Sequence, residues 1–274
     1  MVNVQSILDL RLAAGLSERW SASASLPWVY GTWSVPLPLV PRGHRFQQDS
    51  RGIGDLVLAP RFWVLDPSEN PRGNLQAGLG LKIPTGDPGV EDLFPDVTGR
   101  NLARRPVDVS IQPGDGGWGP VLDLFAYRDA GPVRLFATGT YLCNPRETND
   151  TLSTPSALLG PASVPARIRR NSVPDQSLAQ VGAAVPLVPG LGASLALRWE
   201  GVPARDLLGG NEGWRRPGYT VSLAPGLSWT LDRTTVSLSV PVTTRRNRMN
   251  DASGAGGDAT FADWSVILGL TVRF

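Results

Sequence analysis

Apolar residues alternate with small or polar ones in many short stretches of this chain. The final stretch, Trp264 to Phe274, is the clearest example. Successive side chains of a β-strand point to opposite faces, so this pattern predicts a strand with one apolar face. That face carries Trp264, Val266, Leu268, Leu270, Val272 and Phe274, and the other carries Ser265, Gly269, Thr271 and Arg273.

Eleven such stretches predict eleven strands, the first ten of them in five closely spaced pairs. They are Leu8 to Ala14, Trp20 to Trp28, Leu56 to Leu65, Leu75 to Pro84, Trp118 to Arg128, Val133 to Asn144, Ser177 to Leu187, Ala193 to Val202, Tyr219 to Trp229, Thr235 to Thr243 and Trp264 to Phe274. Longer connections separate the pairs: Gly31 to Asp55, Thr85 to Gly117, Pro145 to Gln176, Pro203 to Gly218 and Thr244 to Ala262.

Tight turns that alternate with long loops are typical of bacterial outer-membrane barrels, whose turns face the periplasm. The polar sides of the strands fit a lumen, because they carry small residues such as Ser21, Ser23, Ser25, Gln76, Gly78, Gly80, Thr220, Ser222, Ser237 and Ser239. We therefore predict an all-β, antiparallel, up-and-down transmembrane β-barrel that forms one domain over residues 1–274. A soluble β-sandwich or ligand-binding barrel is the alternative.

Aromatic residues concentrate at the predicted strand ends, which indicates two interfacial girdles. The periplasmic girdle would contain Trp20, Trp63, Tyr127, Trp229 and Phe274, and the outer one Trp28, Tyr30, Trp118, Tyr141, Trp199, Tyr219 and Trp264. The aromatic carboxyl terminus resembles the assembly signal of outer-membrane barrels. That resemblance implies that Phe274 and its strand bind the barrel-assembly machinery.

Several segments resemble the family of outer-membrane proteins assigned to the phenol-degradation meta-pathway. They are Gly15 to Tyr30, Gly52 to Asp55, Gly78 to Asp87, Gln112 to Gly114 and Pro225 to Leu227. The resemblance implies a barrel of about 12 strands and passage of a hydrophobic or aromatic solute. Bacterial barrels have even strand numbers, so we expect that the first strand is missing from this chain. A short strand hidden within Arg104 to Ile111 would remove that need.

Composition narrows the class further. No apolar run approaches ~18 residues, which excludes a helical membrane protein, and 31 Gly and 25 Pro indicate many turns. The net charge of +2 gives no reason to expect nucleic acid as a partner. The first residues lack the pattern of a signal peptide, so we expect the signal for export to the bacterial outer membrane to be absent from this chain.

The residues that could support catalysis are few. His44 is the only histidine and Cys143 the only cysteine, and the two lie in different predicted elements. Nucleophile–His and Asp–His arrangements need a histidine held by structure. We therefore predict no enzymatic activity, no catalytic residue, no cofactor and no metal. Carboxylates at Glu91 to Asp96 and Asp206 to Glu212 leave calcium as a weak alternative.

Charged side chains on the polar faces would line the lumen, since Arg or Lys on the lipid face costs about 2–4 kcal/mol at mid-bilayer. Such charges either set pore selectivity or pair and fill the barrel. The predicted lumen residues are Asp9, Arg11, Arg61, Lys82, Asp123, Arg198, Glu200 and Arg273.

Arginines are also frequent in the predicted long loops. The predicted extracellular rim contains Arg104, Arg105, Arg169, Arg170, Arg215, Arg216, Arg246 and Arg248. Guanidinium groups suit bidentate phosphate contacts, so this rim would bind lipopolysaccharide or attract anionic solutes. Together these features predict a passive outer-membrane channel for a small solute. A non-conducting structural or surface-interaction barrel is the alternative.

Overall fold

The computed structural model describes residues 2–40, 43–252, 254, 259 and 261–274. Its main element is one large antiparallel sheet. The sheet strands are β1 (Val2–Gly15), β2 (Trp20–Val35), β3 (Phe46–Ile53), β4 (Leu56–Trp63), β5 (Gly73–Ile83), β8 (Gly119–Ala130), β9 (Val133–Leu142), β12 (Gln176–Val188), β13 (Leu191–Val202), β14 (Gly218–Leu231), β15 (Thr234–Ser239), β16 (Val242–Arg248) and β17 (Ile267–Val272).

The long connections contain the remaining elements. Two small antiparallel sheets lie there, formed by β6 (Glu91–Phe94) with β7 (Ala103–Pro106) and by β10 (Thr148–Leu152) with β11 (Arg170–Ser172). A short helix, α1, covers Thr154–Leu159, and 3-10 turns cover Val109–Ile111, Pro161–Ser163 and Ala166–Ile168. No helix in the described part of the chain is long and apolar enough to cross a membrane.

Sequence-adjacent strands pair around the whole sheet, which confirms the predicted up-and-down order. The thirteen strands of the sheet occupy eleven positions in the wall. β3 and β4 share one position, because both pair with β2. β15 and β16 share another, because both pair with β14. All eleven predicted strands are present. The hairpin connections are short, and Gly190 adopts a φ of 82° in the β12–β13 turn, a backbone conformation that glycine reaches without a steric penalty.

Two predicted loops were wrong in extent. The segment Gly31 to Asp55 mostly continues the wall, because β2 extends to Val35 and pairs with β3. The segment Thr244 to Ala262 begins within β16, which pairs with β14 as far as Arg248. Alternation is weak in these stretches, so their pairing could not be predicted locally. Residues 41, 42, 253, 255–258 and 260 of these predicted loops, and Met1, lie outside the described residues.

The wall ends at β1 and β17. Among the described residues β1 pairs with β2 and β17 pairs with β15, and these two edge strands do not pair with each other. A short strand, β7, does overlap the segment Arg104 to Ile111, but it pairs with β6 and adds nothing to the wall. The expectation of one more wall strand before β1 stays a prediction.

The wall has an apolar outer face and a small, polar inner face. Directly opposed residues of an antiparallel pair share a face, and the row Ser23, Ala59, Gly80 and Val121 is buried on the inner face. The outer face exposes large apolar residues over most of the wall: Leu8, Leu10, Leu12, Leu79, Leu122, Leu124, Leu135, Leu195, Leu197, Leu223, Leu227, Leu268 and Leu270. Continuous apolar exposure of this kind marks a membrane-facing surface.

The main apolar core lies inside the wall, between the wall and a loop. The connection formed by residues 84–118 is here named the inner loop. Its side chains Phe94, Val107 and Ile111 pack with Trp33 of β2 and with Leu37, which follows β2. A Cβ added to Gly31 would lie 2.6 Å from the Cβ of Ile111, so only glycine lets the inner loop approach this closely. The inner loop therefore folds onto the inner face of the wall.

Candidate functional site

The inner face brings Arg61 and Asp123 together from strands two apart. Gly78 lies between them in the register and leaves room for both side chains. An Nη2 of Arg61 lies 2.6 Å from Oδ2 of Asp123, and the two side chains are only about one-fifth exposed. Arg61 also donates to Ser23 Oγ, and Thr140 donates to Asp123. These bonds fix an ion pair on the wall, where both residues were predicted to face the lumen.

Lys82, the only lysine, faces inward but does not border open space. It is 3% exposed and forms ion pairs with Asp115 of the inner loop and, at 3.6 Å, with Asp55 of the wall. Asp115 also accepts from the backbone N–H of Gly117. Lys82 thus points inward as predicted and anchors the inner loop to β5, so it lies in a buried ion pair and does not line an open pore.

The other predicted lumen charges lie in separate places. On β1, Nη2 of Arg11 lies 3.7 Å from Oδ2 of Asp9. These two residues are opposite Ser25 and Pro27 of β2. On β13, Arg198 pairs with Glu200, two positions further along the same face.

Arg273 follows the end of β17, and its backbone N–H donates to Arg233. Within the described part of the chain no direct contact joins Arg273 to the Asp9–Arg11 pair or to the Arg198–Glu200 pair, so these lumen charges do not form one connected network.

An aromatic cluster on the inner face was missed by the sequence prediction. Trp63 contacts Phe125 and Tyr127 at centroid distances of 6.0 and 6.1 Å, and Phe125 stacks on Tyr127 at 6.0 Å. Arg134 lies 4.7 Å above the Tyr127 ring and pairs with Asp129. These rings are partly exposed near the turn side of the wall.

The placement of Trp63 and Tyr127 corrects their assignment to the lipid-facing girdle. Trp63 opposes Gln76, and Gln76 opposes Phe125, so all three share the inner face. The alternation of strand faces already indicated this placement, because residues two apart in a strand share a face. Trp63 follows Arg61 by two residues, and Phe125 follows Asp123 by two. Trp20 and Trp229 do face outward, as predicted for the girdle.

Two of the predicted rim arginines, Arg215 and Arg216, are buried and do not lie on a rim. Arg215 has no exposed side-chain surface and makes a buried ion pair with Asp206, 3.0 Å from Nη1 to Oδ1. Arg216 is also largely buried, over the Trp214 ring. Arg246 and Arg248 belong to β16, opposite the inward-facing Thr220 and Gly218, and Arg246 pairs with Asp263. Arg246 and Arg248 remain exposed, so their assignment to the rim stays a prediction, and only the burial of Arg215 and Arg216 corrects it.

The remaining predicted rim arginines make contacts with loop residues. Arg105 donates to the carbonyls of Phe94 and Ala157, at 3.1 and 2.5 Å. Arg169 donates to the backbone carbonyl of Val164, and Arg170 donates to the backbone carbonyl of Asp150. Arg104 is exposed and lies 3.7 Å from Glu91. Arg104 and Arg170 keep the most exposed positions for a phosphate partner.

Three loops fill the interior on the long-loop side of the wall. Besides the inner loop they are the helical loop, residues 143–175, and the arginine loop, residues 203–217. The buried carboxylate of Asp175 accepts from the backbone N–H groups of Asn144 and Leu207 and from the Tyr141 hydroxyl. It thereby joins the helical loop, the arginine loop and the end of β9. We call the three loops together the plug.

Asp108 is the residue at which all three loops meet. Its carboxylate is fully buried and accepts from both Nη atoms of Arg216, at 3.0 and 2.8 Å. Thr154 donates to it at 2.9 Å, and the Ser110 N–H and hydroxyl donate at 3.0 and 2.6 Å. No motif in the sequence marks Asp108, since its partners lie up to 108 positions away.

The structure places His44 and Cys143, the residues considered for catalysis, in different elements. His44 is exposed in the connection between β2 and β3. Cys143 is buried, and burial together with Asp175 raises the pKa of its thiol. The Asp206 carboxylate is occupied by Arg215. No group of three or more metal-binding side chains occurs among the described residues.

Comparisons with known proteins bear on the fold. No family model and no curated protein matches the sequence. The solved structures include a similar one, the COG4313 outer membrane channel from Pseudomonas putida F1. That match has a TM-score of 0.57 and 15% identity, and it covers 97% of this chain and 81% of the other. The chain therefore shares the antiparallel β-barrel fold of that channel.

Proposed function

We propose that this protein is a passive outer-membrane channel for small uncharged solutes, with aromatic compounds as its preferred class. The division of the wall into two faces carries this proposal. Apolar side chains cover the outer face, while hydroxyl groups, glycines and paired charges cover the inner face. A wall with this division suits lipid on one side and a polar passage on the other, and it argues against the soluble alternative.

The aromatic cluster supports the solute class that the family resemblance implies. Trp63 and Phe125 flank the side chain of Gln76, and no hydrogen bond holds this amide among the described residues. Ring faces bind a planar apolar solute by stacking, and an amide binds its polar substituent. The neighbouring guanidinium groups of Arg61 and Arg134 are paired with carboxylates, which favours uncharged solutes.

Channel function is proposed in place of catalysis. The only histidine is exposed in a connection, so the chain offers no structurally held general base of that type. We also propose two partners on the basis of the sequence. The terminal strand would bind the barrel-assembly machinery, and exposed arginines such as Arg104 and Arg170 would bind lipopolysaccharide phosphates.

The test is single-channel recording of the purified protein in planar bilayers, with phenol as the probe that interrupts the ionic current. Loss of one aromatic contact is worth about 0.5–1.5 kcal/mol, so Trp63→Leu should weaken phenol block about two- to tenfold. Trp229→Leu is the matched control, because Trp229 is exposed on the outer face. Equal phenol block in both variants would refute the aromatic preference.

A non-conducting structural barrel is the second candidate, and the plug favours it. The plug fills the long-loop side of the interior with buried side chains such as Phe94, Val107, Asp108 and Asn171. If the folded protein stays silent in bilayers and vesicles take up no phenol, the channel proposal fails and this candidate replaces it.

A further inference from the structure

The plug consists of two parts that are held to different portions of the wall. The inner loop is bound to the wall between β1 and β5. Ser50 donates to the carbonyl of Ile111, Asn3 donates to Ser110, and Lys82 pairs with Asp115. The apolar core adds the fully buried Phe94, Val107 and Ile111 to this attachment. Burial of large apolar side chains makes this boundary strong.

The helical loop and the arginine loop form the other part. The Ser172 N–H donates to the carbonyl of Trp214, and Arg215 donates to Ser172 Oγ. Asp175 ties both loops to the end of β9 through Tyr141. These two loops are thus held to each other and to the wall on the far side from β1.

The two parts meet along a boundary that we name the seam. It comprises the bonds from Arg216 and Thr154 to Asp108, from Arg105 to Ala157, from Thr151 to Pro88, from Arg146 to Gly116 and from Asn144 to Asp115. Leu158 adds an apolar contact with the core. Most of these contacts are polar, and water can replace a polar contact at a small net change in free energy. The seam is therefore the weaker boundary of the plug.

We propose that the plug opens by separation along the seam and that the Asp108–Arg216 ion pair is its latch. This proposal rests on the proposed channel function. The pair is the strongest single contact of the seam, since it is bidentate and the carboxylate is fully buried. In the open plug both groups would be hydrated. Removing either partner therefore destabilises the closed plug more than the open one.

The test uses a cysteine reporter whose signal does not depend on conductance. Ala157 is 5% exposed in α1, and its carbonyl accepts the bond from Arg105 across the seam. Ala157→Cys in a Cys143→Ser background would report opening by its rate of labelling with a small maleimide. Asp108→Asn and Arg216→Gln should each raise this rate about 30-fold or more, because truncating one partner of a buried charge pair costs about 2 kcal/mol or more and each 1.4 kcal/mol is tenfold.

Arg104→Gln is the matched control. It makes the same change of side chain as Arg216→Gln, but Arg104 is exposed and pairs within its own loop. The labelling rate should stay at the value of the parent protein. Heat-modifiable migration in gels, measured for every variant, shows whether the wall is folded.

The outcomes separate the two proposals. Faster labelling with higher conductance in Asp108→Asn and Arg216→Gln supports the latch. Unchanged labelling in folded variants overturns the latch, whatever the conductance. Faster labelling with no current or phenol flux in any variant supports opening at the seam but refutes the channel function. Equal labelling gains in Arg104→Gln would also overturn the latch, because the effect would then lack specificity.

Discussion

Replacing Ile111 by alanine should loosen the inner loop without unfolding the wall. Ile111 is fully buried, and its side chain packs against Gly31 of β2. The change removes three carbon groups, worth about 0.8 kcal/mol each in transfer free energy, and leaves a cavity. The expected loss is about 2–5 kcal/mol for a fully buried isoleucine. The carbonyl of Ile111 still accepts from Ser50, so the loss comes from apolar packing.

Hydrogen exchange followed by mass spectrometry measures this loss locally. If peptides from residues 103–114 exchange by local opening, a loss of 2–5 kcal/mol speeds exchange about 30- to 5,000-fold. Exchange in β12 and β13 should not change, because these strands do not contact the inner-loop core. Leu93→Ala is the control, since Leu93 lies in the same loop and is 53% exposed.

If peptides from residues 103–114 exchange hydrogen no faster in Ile111→Ala than in Leu93→Ala, the buried side chain of Ile111 does not hold the inner loop to the wall. The loop would then be held by its polar contacts to β1 and β3 instead. Acceleration spread equally over β12 and β13 would refute the separation between loop and wall. In that case the loop and the wall would open as one cooperative unit.

Two further predictions concern the faces of the wall. Leu197→Arg should lower the free energy of unfolding in lipid vesicles by about 2–4 kcal/mol if its outward position lies near mid-bilayer; a urea titration that shows no loss would contradict the lipid-facing assignment. Asp123→Asn should destabilise the wall by about 1–3 kcal/mol, because Arg61 then loses a charged acceptor. Arg61→Gln should cost less in the Asp123→Asn background than alone, and additive losses in this double-mutant cycle would show that the pair is not coupled.

Strand number and strand order could be predicted because both depend on local signals. Alternation marks each strand, as in Trp264 to Phe274, and the length of each connection decides which strands form hairpins. The same alternation implied that Trp63 shares a face with Arg61. We nevertheless predicted that Trp63 lies in the lipid-facing girdle, because it is at a strand end. Its ring contact with Phe125 shows that the alternation of strand faces had indicated the correct side.

The loops could not be predicted because their contacts join residues distant in the sequence. Arg215 and Arg216 had the same appearance in the sequence as the exposed Arg104. Arg215 is buried by its ion pair with Asp206 in the same loop, and Arg216 is buried where the arginine loop packs against Asp108 of the inner loop. A buried charge requires a partner in three dimensions, and that partner leaves no periodic trace in the sequence.

The sequence by itself determined the class of fold, since a period of two predicts strands with one apolar face, and tight turns that alternate with long loops predict an up-and-down barrel. Tertiary structure alone decided what occupies the interior. The inner loop folds onto β2 and β3 because its apolar residues are buried there, and Asp108 joins it to the other loops. Wall strands follow a local rule of alternating faces, whereas the plug depends on contacts between residues that are distant in the sequence.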